Sequence, residues 1–282
     1  MITAVKKNEA LLQEVKTFEK DDQHFHVWWL GQSGYLIQWK GEKILIDPYL
    51  SDSLTRKYAE TLKPHTRMSE LVVDPGLLQD ILIVSSSHNH TDHLDGETLI
   101  PIIKNNPGIH FVIPEANRAF VAERVKIESS YATGLTEGEK VTFGDFSFTG
   151  IAAAHNTIDR DEKGRCKYMG YIIHFGKWTL YHSGDTLWYD GMENILSDYN
   201  IDLAFLPING NDPAREVAGN LNCEEAVQLA LKTNIRHVIP CHYDMFTFNT
   251  ADPQVFAQKA DAQKQSYTIL PPGGHWSSDL LS

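Results

Sequence analysis

Six consecutive residues, His88-Asn89-His90-Thr91-Asp92-His93, follow the apolar run Ile81-Leu82-Ile83-Val84 and a spacer of three serines. This juncture constrains the chain more than any other feature. A short apolar run bounded by turn-forming residues reads as a buried strand, so the histidines arrive at a strand end, where α/β scaffolds place ligand-binding groups. Neutral imidazole is the commonest metal ligand, and a carboxylate adds charge that helps hold a divalent ion. His88, His90 and Asp92 share one face of an extended segment. Asp92 and His93 are adjacent and converge only if the chain turns, which a helix beginning near Thr91, with Leu94, Ile100 and Ile103 inward, would supply. Two donors then serve one ion and two a second. Histidine takes 13 of the 282 positions, so this arrangement arises by chance with a probability on the order of 10⁻³; a merely solvated polar loop is the weaker account.

One loop cannot close the shells of two ions. Three further residues stand at the ends of expected strands: His155 after Phe146 to Ala154, Asp185 in Tyr181-His182-Ser183-Gly184-Asp185-Thr186, and His242 after His237 to Cys241. A carboxylate between two ions can bridge them, one oxygen to each.

The rest of the chain reads as one α/β unit spanning 1–282. Strands are expected over Phe25 to Leu30, Tyr35 to Trp39, Lys43 to Ile46, Ile81 to Val84 and His110 to Ile113. Helices are expected over Gly96 to Lys104, Glu115 to Arg124, Cys223 to Lys232 and Pro253 to Lys264, after an opening helix carrying Ala4, Leu11, Leu12 and Val15 inward. Positions 52–76, with Pro64 and Pro75, form a loop-rich excursion suited to a lid or substrate-side loop. The segment Gly34-Tyr35-Leu36-Ile37-Gln38-Trp39, leading to Ile44-Leu45-Ile46-Asp47, is echoed by Gly170-Tyr171-Ile172-Ile173-His174-Phe175, leading to Thr179-Leu180-Tyr181 and Asp185. Two similar halves would pack sheet on sheet, with helices outside and a cleft along the shared edge.

A hydrophobic fraction of 42% and a charged fraction of 22% are those of an ordinary globular protein. The net charge of -12 speaks against a polynucleotide partner, but leaves room for a small anionic substrate, since metal ions reverse the sign of a site. Cys166, Cys223 and Cys241 are odd in number and scattered, so no disulfide framework is implied. The opening residues carry no apolar signal core, and no apolar run reaches bilayer length. A cytoplasmic protein without a membrane partner is therefore expected, and a homo-oligomer is compatible with everything above.

The order His-x-His-x-Asp-His, then His, then Asp in a Ser-Gly-Asp-Thr turn, then His resembles the metallo-β-lactamase superfamily, with the likeness running from about Trp28 to Trp276. The resemblance implies an αββα four-layer sandwich. It assigns His88, His90 and His155 to a first metal, Asp92, His93 and His242 to a second, and Asp185 to a bridge. Asp47 matches an acid that steadies the histidine loop from behind. Trp28-Trp29-Leu30-Gly31-Gln32-Ser33-Gly34 and Val238-Ile239-Pro240-Cys241-His242-Tyr243-Asp244 are similar to the L-ascorbate-6-phosphate lactonases, a generally manganese-dependent family that hydrolyses a sugar-acid lactone.

The implied reaction is hydrolysis: two divalent ions (Mn or Zn, ahead of Fe) hold a hydroxide that attacks an ester or lactone carbonyl, with Asp92 orienting the nucleophile and passing its proton to the leaving alkoxide. Asn209, Asn211 and Arg215, in the loop at the repeat position of the histidine loop, are expected to touch substrate. Tyr243 and His275 are expected to line the cleft, and Arg160, Lys163 and Arg165 rival Arg215 for an anionic group. Cys241 is expected in the core. A phosphodiesterase or phospholipase-type phosphoester hydrolase on the same ions is the alternative. A flavin-linked di-iron oxidoreductase would need a flavin supplied by a partner, and a non-catalytic metal module would not need seven donors.

Overall fold

The computed structural model describes residues 1–281. In chain order its strands are β1 (His26–Gly31), β2 (Gly34–Trp39), β3 (Glu42–Ile46), β4 (Ile81–Ser85), β5 (His110–Pro114), β6 (Thr133–Leu135), β7 (Lys140–Phe143), β8 (Phe146–Ala152), β9 (Met169–Phe175), β10 (Trp178–His182), β11 (Leu203–Pro207), β12 (His237–Cys241) and β13 (His275–Ser277). The helices are α1 (Asn8–Thr17), α2 (Ser53–Lys57), α3 (Gly96–Asn105), α4 (Arg118–Val125), α5 (Met192–Ser197), α6 (Cys223–Lys232) and α7 (Pro253–Gln263).

The strands form two sheets, ordered β13-β1-β2-β3-β4-β5-β6 and β12-β11-β10-β9-β8-β7. The duplication suggested by the sequence is present in the topology. β1, β2 and β3 form an antiparallel meander to which β4 and β5 add in parallel. β8, β9 and β10 form a second such meander, to which β11 and β12 add in parallel.

Alternation along β1 shows why the layers stack as they do. Val27 and Trp29 point into the core between the sheets, while Trp28 and Leu30 point outward beneath Leu11, Val15, Leu99 and Val121 of α1, α3 and α4. A strand covered on both faces has no polar side to show, so the run Val27 to Leu30 is apolar without alternation. Against the second sheet, Met192 and Leu196 of α5, Val227 and Leu229 of α6 and Phe256 of α7 extend the same apolar cluster. The result is the expected αββα sandwich.

Local departures have local causes. No helix starts at Thr91; the chain makes a turn there, and α3 begins at Gly96 because Asp95 caps it, accepting from the Thr98 N–H at 3.0 Å. Thr98, Leu99 and Ile102 therefore face inward, and Ile100 is on the surface. The helix expected from Glu115 opens as a 3-10 turn over Glu115–Asn117 and becomes α-helical at Arg118. α6 sits where its pattern placed it, fixed by a reciprocal cap between Asn222 and Glu225. Ala4 is buried but precedes α1. No helix among the described residues is long and apolar enough to cross a membrane.

Candidate metal centre

The histidine loop leaves β4 through Ser86 and Ser87, both buried. Asp47, just past the end of β3, reaches across to hold it. Asp47 accepts from the Ser87 N–H (2.8 Å), from the Ser87 hydroxyl, and from His93 Nδ1 (2.6 Å). A carboxylate on Nδ1 fixes the proton there and leaves Nε2 bare for a cation. His155 follows the same logic with a carbonyl, its Nδ1 donating to Gly219 O at 2.9 Å.

From the second sheet, the turn after β10 carries Asp185. Gly184 makes that turn fit: at φ +59° it lies so close to its neighbours that a Cβ would sit 2.5 Å from the Met169 carbonyl oxygen and 3.0 Å from Ser87 Cβ. His182 braces the turn from below. Its Nδ1 accepts from the Gly184 N–H (3.2 Å) and its Nε2 donates to the Ser33 carbonyl (2.9 Å) in the β1–β2 turn. Beyond β12, His242 takes a left-handed backbone (φ 67°), with its N–H on the Gln32 carbonyl at 3.2 Å.

These elements bring all seven expected donors together. Their donor atoms fall into three overlapping groups, each within 4.8 Å: His88, His90 and His155; His88, His93 and Asp185; and Asp92, His93 and His242. Asp185 is central: its oxygens lie 3.3 Å from His93 Nε2, 3.2 Å from His242 Nε2 and 3.7 Å from His155 Nε2. Buried polar atoms in proteins are nearly always hydrogen-bonded. Here His88 Nε2, His93 Nε2 and Asp185 Oδ1 are buried with no hydrogen-bond partner, all three pointing into the cluster. Orphaned lone pairs on mixed imidazole and carboxylate groups fit divalent metal ions.

The electrostatics suit that role. Burial holds His88 well below its ordinary pKa, helped by His93 and His90, and pushes His90 down to about 4. Burial likewise lowers His155, so these three imidazoles are neutral at pH 7 and free to ligate. For Asp185 burial works to raise the pKa, but His242 and His93 outweigh it and the carboxylate stays ionised. Asp92 behaves the same way, with His93 and His242 prevailing over burial. His93 is the converse, raised well above its usual value by Asp185 and Asp92 despite the cost of burial.

Above the donors opens a cavity of 650 Å³. The 52–76 excursion does border it, through Leu54, Lys57, Tyr58, Lys63 and His65. The expected substrate contacts lie elsewhere. Asn209, Asn211 and Arg215 line a separate surface groove of 490 Å³. Asn209 Nδ2 and Arg215 Nη1 each donate to Asn249 Oδ1 at 2.9 Å, and it is Asn249 that faces the cavity. Tyr243 is buried, stacked on Trp29 at 4.4 Å, with its hydroxyl donating to the Leu270 carbonyl. His275 pairs with His26 at 3.1 Å on β13, outside the cavity. Arg160 and Arg165 are tied to Glu137 and Asp161, and Lys163 does not border the cavity either.

Sequence reasoning did not assign two neighbours of the donors. Gln32 Nε2 donates to Asp92 Oδ2 at 2.8 Å and lies 3.1 Å from His242 Nε2. Tyr168 packs its ring 5.1 to 5.7 Å from those of His88, His155 and His90.

Known proteins share this design. Residues 42–243 match the family model described as Beta-lactamase superfamily domain. A UPF0173 metal-dependent hydrolase from Bacillus cereus is 31% identical over 234 residues, covering 81% of this chain and 90% of that protein. Among solved structures, Igni18, a metallo hydrolase from Ignicoccus hospitalis, aligns with a TM-score of 0.65 at 22% identity over 90% of this chain and 98% of its own. The metallo-β-lactamase fold protein YhfI from Bacillus subtilis aligns with a TM-score of 0.64 at 18% identity over 90% and 99%. At such identities the two structures speak for the fold, whereas the family match and the Bacillus cereus relative speak for descent: the chain belongs to the β-lactamase superfamily, alongside the UPF0173 metal-dependent hydrolases.

Proposed function

We propose that this protein is a metal-dependent hydrolase that opens the ester or lactone bond of a small anionic molecule, in the manner of the L-ascorbate-6-phosphate lactonases. The observation that carries the reading is the convergence of seven donors whose orphaned atoms face one another beneath a cavity. Its 650 Å³ suits a small molecule. His88, His90 and His155 would hold one divalent ion, Asp92, His93 and His242 a second, and Asp185 would lie between them; manganese and zinc both suit such a set. Ions held there supply an activated water and an electrophile for the carbonyl oxygen.

The chain's own residues do the rest. Asp92 is ionised, borders the cavity and is held at Oδ2 by the Gln32 amide. It is placed to take a proton from the attacking water and return it to the leaving alkoxide. Asp47 and Gly219 keep His93 and His155 in the tautomers that leave Nε2 free. Tyr168, Leu54 and Phe120 border the cavity with apolar surface that limits water around the reacting bond.

Metal analysis of the purified protein, followed by assays on a sugar-lactone phosphate, an aryl ester and bis-p-nitrophenyl phosphate, tests the reading. The expected result is divalent metal in the protein and turnover of the lactone or ester, with His90→Ala and Asp185→Ala losing both metal and activity. Preference for the phosphodiester would instead favour phosphoester hydrolysis on the same centre. Variants that keep full metal content and turnover would overturn the ligand assignment.

A further inference from the structure

The cations expected to hold an anionic substrate do not border the cavity, yet the cavity has cations of its own. Lys57, Lys63 and Arg124 border it, from α2, the following loop and α4. Lys63 is spoken for: its Nζ lies 3.2 Å from the Glu216 carboxylate and donates to the Glu216 carbonyl at 2.7 Å. The other two form no ion pair among the described residues, although the Asp95 carboxylate acts on Arg124 electrostatically. Arg124 is fixed in place by carbonyl oxygens, with Asp95 acting on it only beyond ion-pair contact. Its Nη1 donates to the carbonyls of Asn89 (2.7 Å) and Leu94 (3.2 Å), and its guanidinium stacks over Phe120 at 4.3 Å. That leaves Nε and Nη2 without a partner among the described residues, on a half-buried side chain. Lys57 is exposed, with its Nζ 5.0 Å over the Tyr58 ring.

In a chain of net charge -12, two unpaired cations bordering the catalytic cavity are a charge arrangement that calls for an anion. A planar guanidinium pinned at one nitrogen presents its remaining N–H groups in a fork matched to two oxygens, while a lysine on a short helix adapts to the third position.

We propose that Lys57 and Arg124 form the subsite for an oxyanion of the substrate, a carboxylate or a phosphate monoester, beside an apolar wall made by Phe120, Leu54 and Tyr58. The proposal rests on the hydrolase reading for the reaction but specifies what that reading left open, the residues that recognise charge. It moves the anion from the 209–215 loop of the second half to the α2 and α4 side of the first.

The test compares aryl esters that share a leaving group and differ in charge: p-nitrophenyl butyrate, mono-p-nitrophenyl succinate, and a p-nitrophenyl ester bearing a phosphate monoester on its acyl chain. The quantity read is the ratio of kcat/KM for each charged ester to that for the neutral one. Lys57→Gln is expected to lower this ratio by about tenfold, chiefly through KM, for whichever oxyanion the site prefers. Arg124→Gln is expected to lower it as well, and the ratio cancels any general loss from disturbing the Asn89 and Leu94 carbonyls. Arg160→Gln, a cation outside the cavity, is the control. A ratio that shifts by less than about twofold in Lys57→Gln overturns the subsite, and turnover of the neutral ester in that case leaves the hydrolase reading standing. If the wild-type protein turns over none of the esters, the hydrolase reading is at fault, and calorimetric titration of the manganese-loaded protein with succinate and with inorganic phosphate decides the subsite: weaker binding of either anion to Lys57→Gln supports it, and equal binding of both removes it.

Discussion

At the scale of single residues, the chain handles histidine in two ways. Around the cavity, burial keeps His88, His90 and His155 neutral for ligation. His237, at the start of β12, is neutral for packing alone. Its Nδ1 meets Ser266 Oγ at 2.8 Å, its Nε2 meets Thr268 Oγ1 at 2.9 Å, and its ring stacks on Trp276. Burial pushes its pKa down to about 4 from the ordinary 6.5. Above pH 6.5 both folded and unfolded chains carry it neutral, and it leaves stability unchanged. As pH falls below 6.5 the unfolded chain takes up the proton first, so stability declines until the folded ring titrates near 4, a loss of about 3 kcal/mol. His237→Asn should flatten the decline by about 1.4 kcal/mol per pH unit within that window. Urea unfolding of both proteins at several pH values checks this, and parallel curves would exonerate His237.

At the scale of elements, the turn carrying Asp185 leaves no room for a side chain at Gly184. Gly184 has a positive φ, which a side chain resists, and no space for a Cβ between Met169 O and Ser87 Cβ. Gly184→Ala is therefore expected to cost on the order of 2–4 kcal/mol and to weaken metal binding through the displaced Asp185. Denaturant midpoints and metal titration measure the two effects separately; a variant within about 0.5 kcal/mol of wild type would mean the turn relaxes freely. Elements of this kind also show what the sequence could reveal. The doubly buried strands were readable because apolar residues dominate both of their faces, and α6 because its cap and its periodicity agree. β6, β7, α5 and β13 went unread, being short, and β13 finds its partner β1 almost the whole chain away. The donors were legible from strand-end spacing. The cavity wall was not: Lys57, Arg124 and Asn249 reach it by tertiary packing of α2, α4 and the 243–250 loop, which no local pattern encodes. Tyr243 turns into the core because the left-handed backbone at His242 ends the strand, a change of direction no local pattern announces.

At the scale of the whole molecule, the donors belong to both sheets. His88, His90, Asp92 and His93 follow β4 of the first, whereas His155, Asp185 and His242 follow β8, β10 and β12 of the second. Ions bound only by the folded chain add stability by mass action, about 2.7 kcal/mol at a free concentration one hundred times Kd. Scanning calorimetry should therefore show Tm rising with added manganese or zinc by several degrees over the chelated protein. A Tm indifferent to metal would contradict a site formed by these donors.

The way the donors are shared out has a further consequence. His88 and His90 are grouped with His155, and Asp92 and His93 with His242, so each would-be ion is a rivet driven through both slabs of the sandwich. Neither slab owns a complete set. Produced as separate half-chains, the two meanders would each have the strands to resemble the other but only a share of each donor group; the complete grip belongs to the seam.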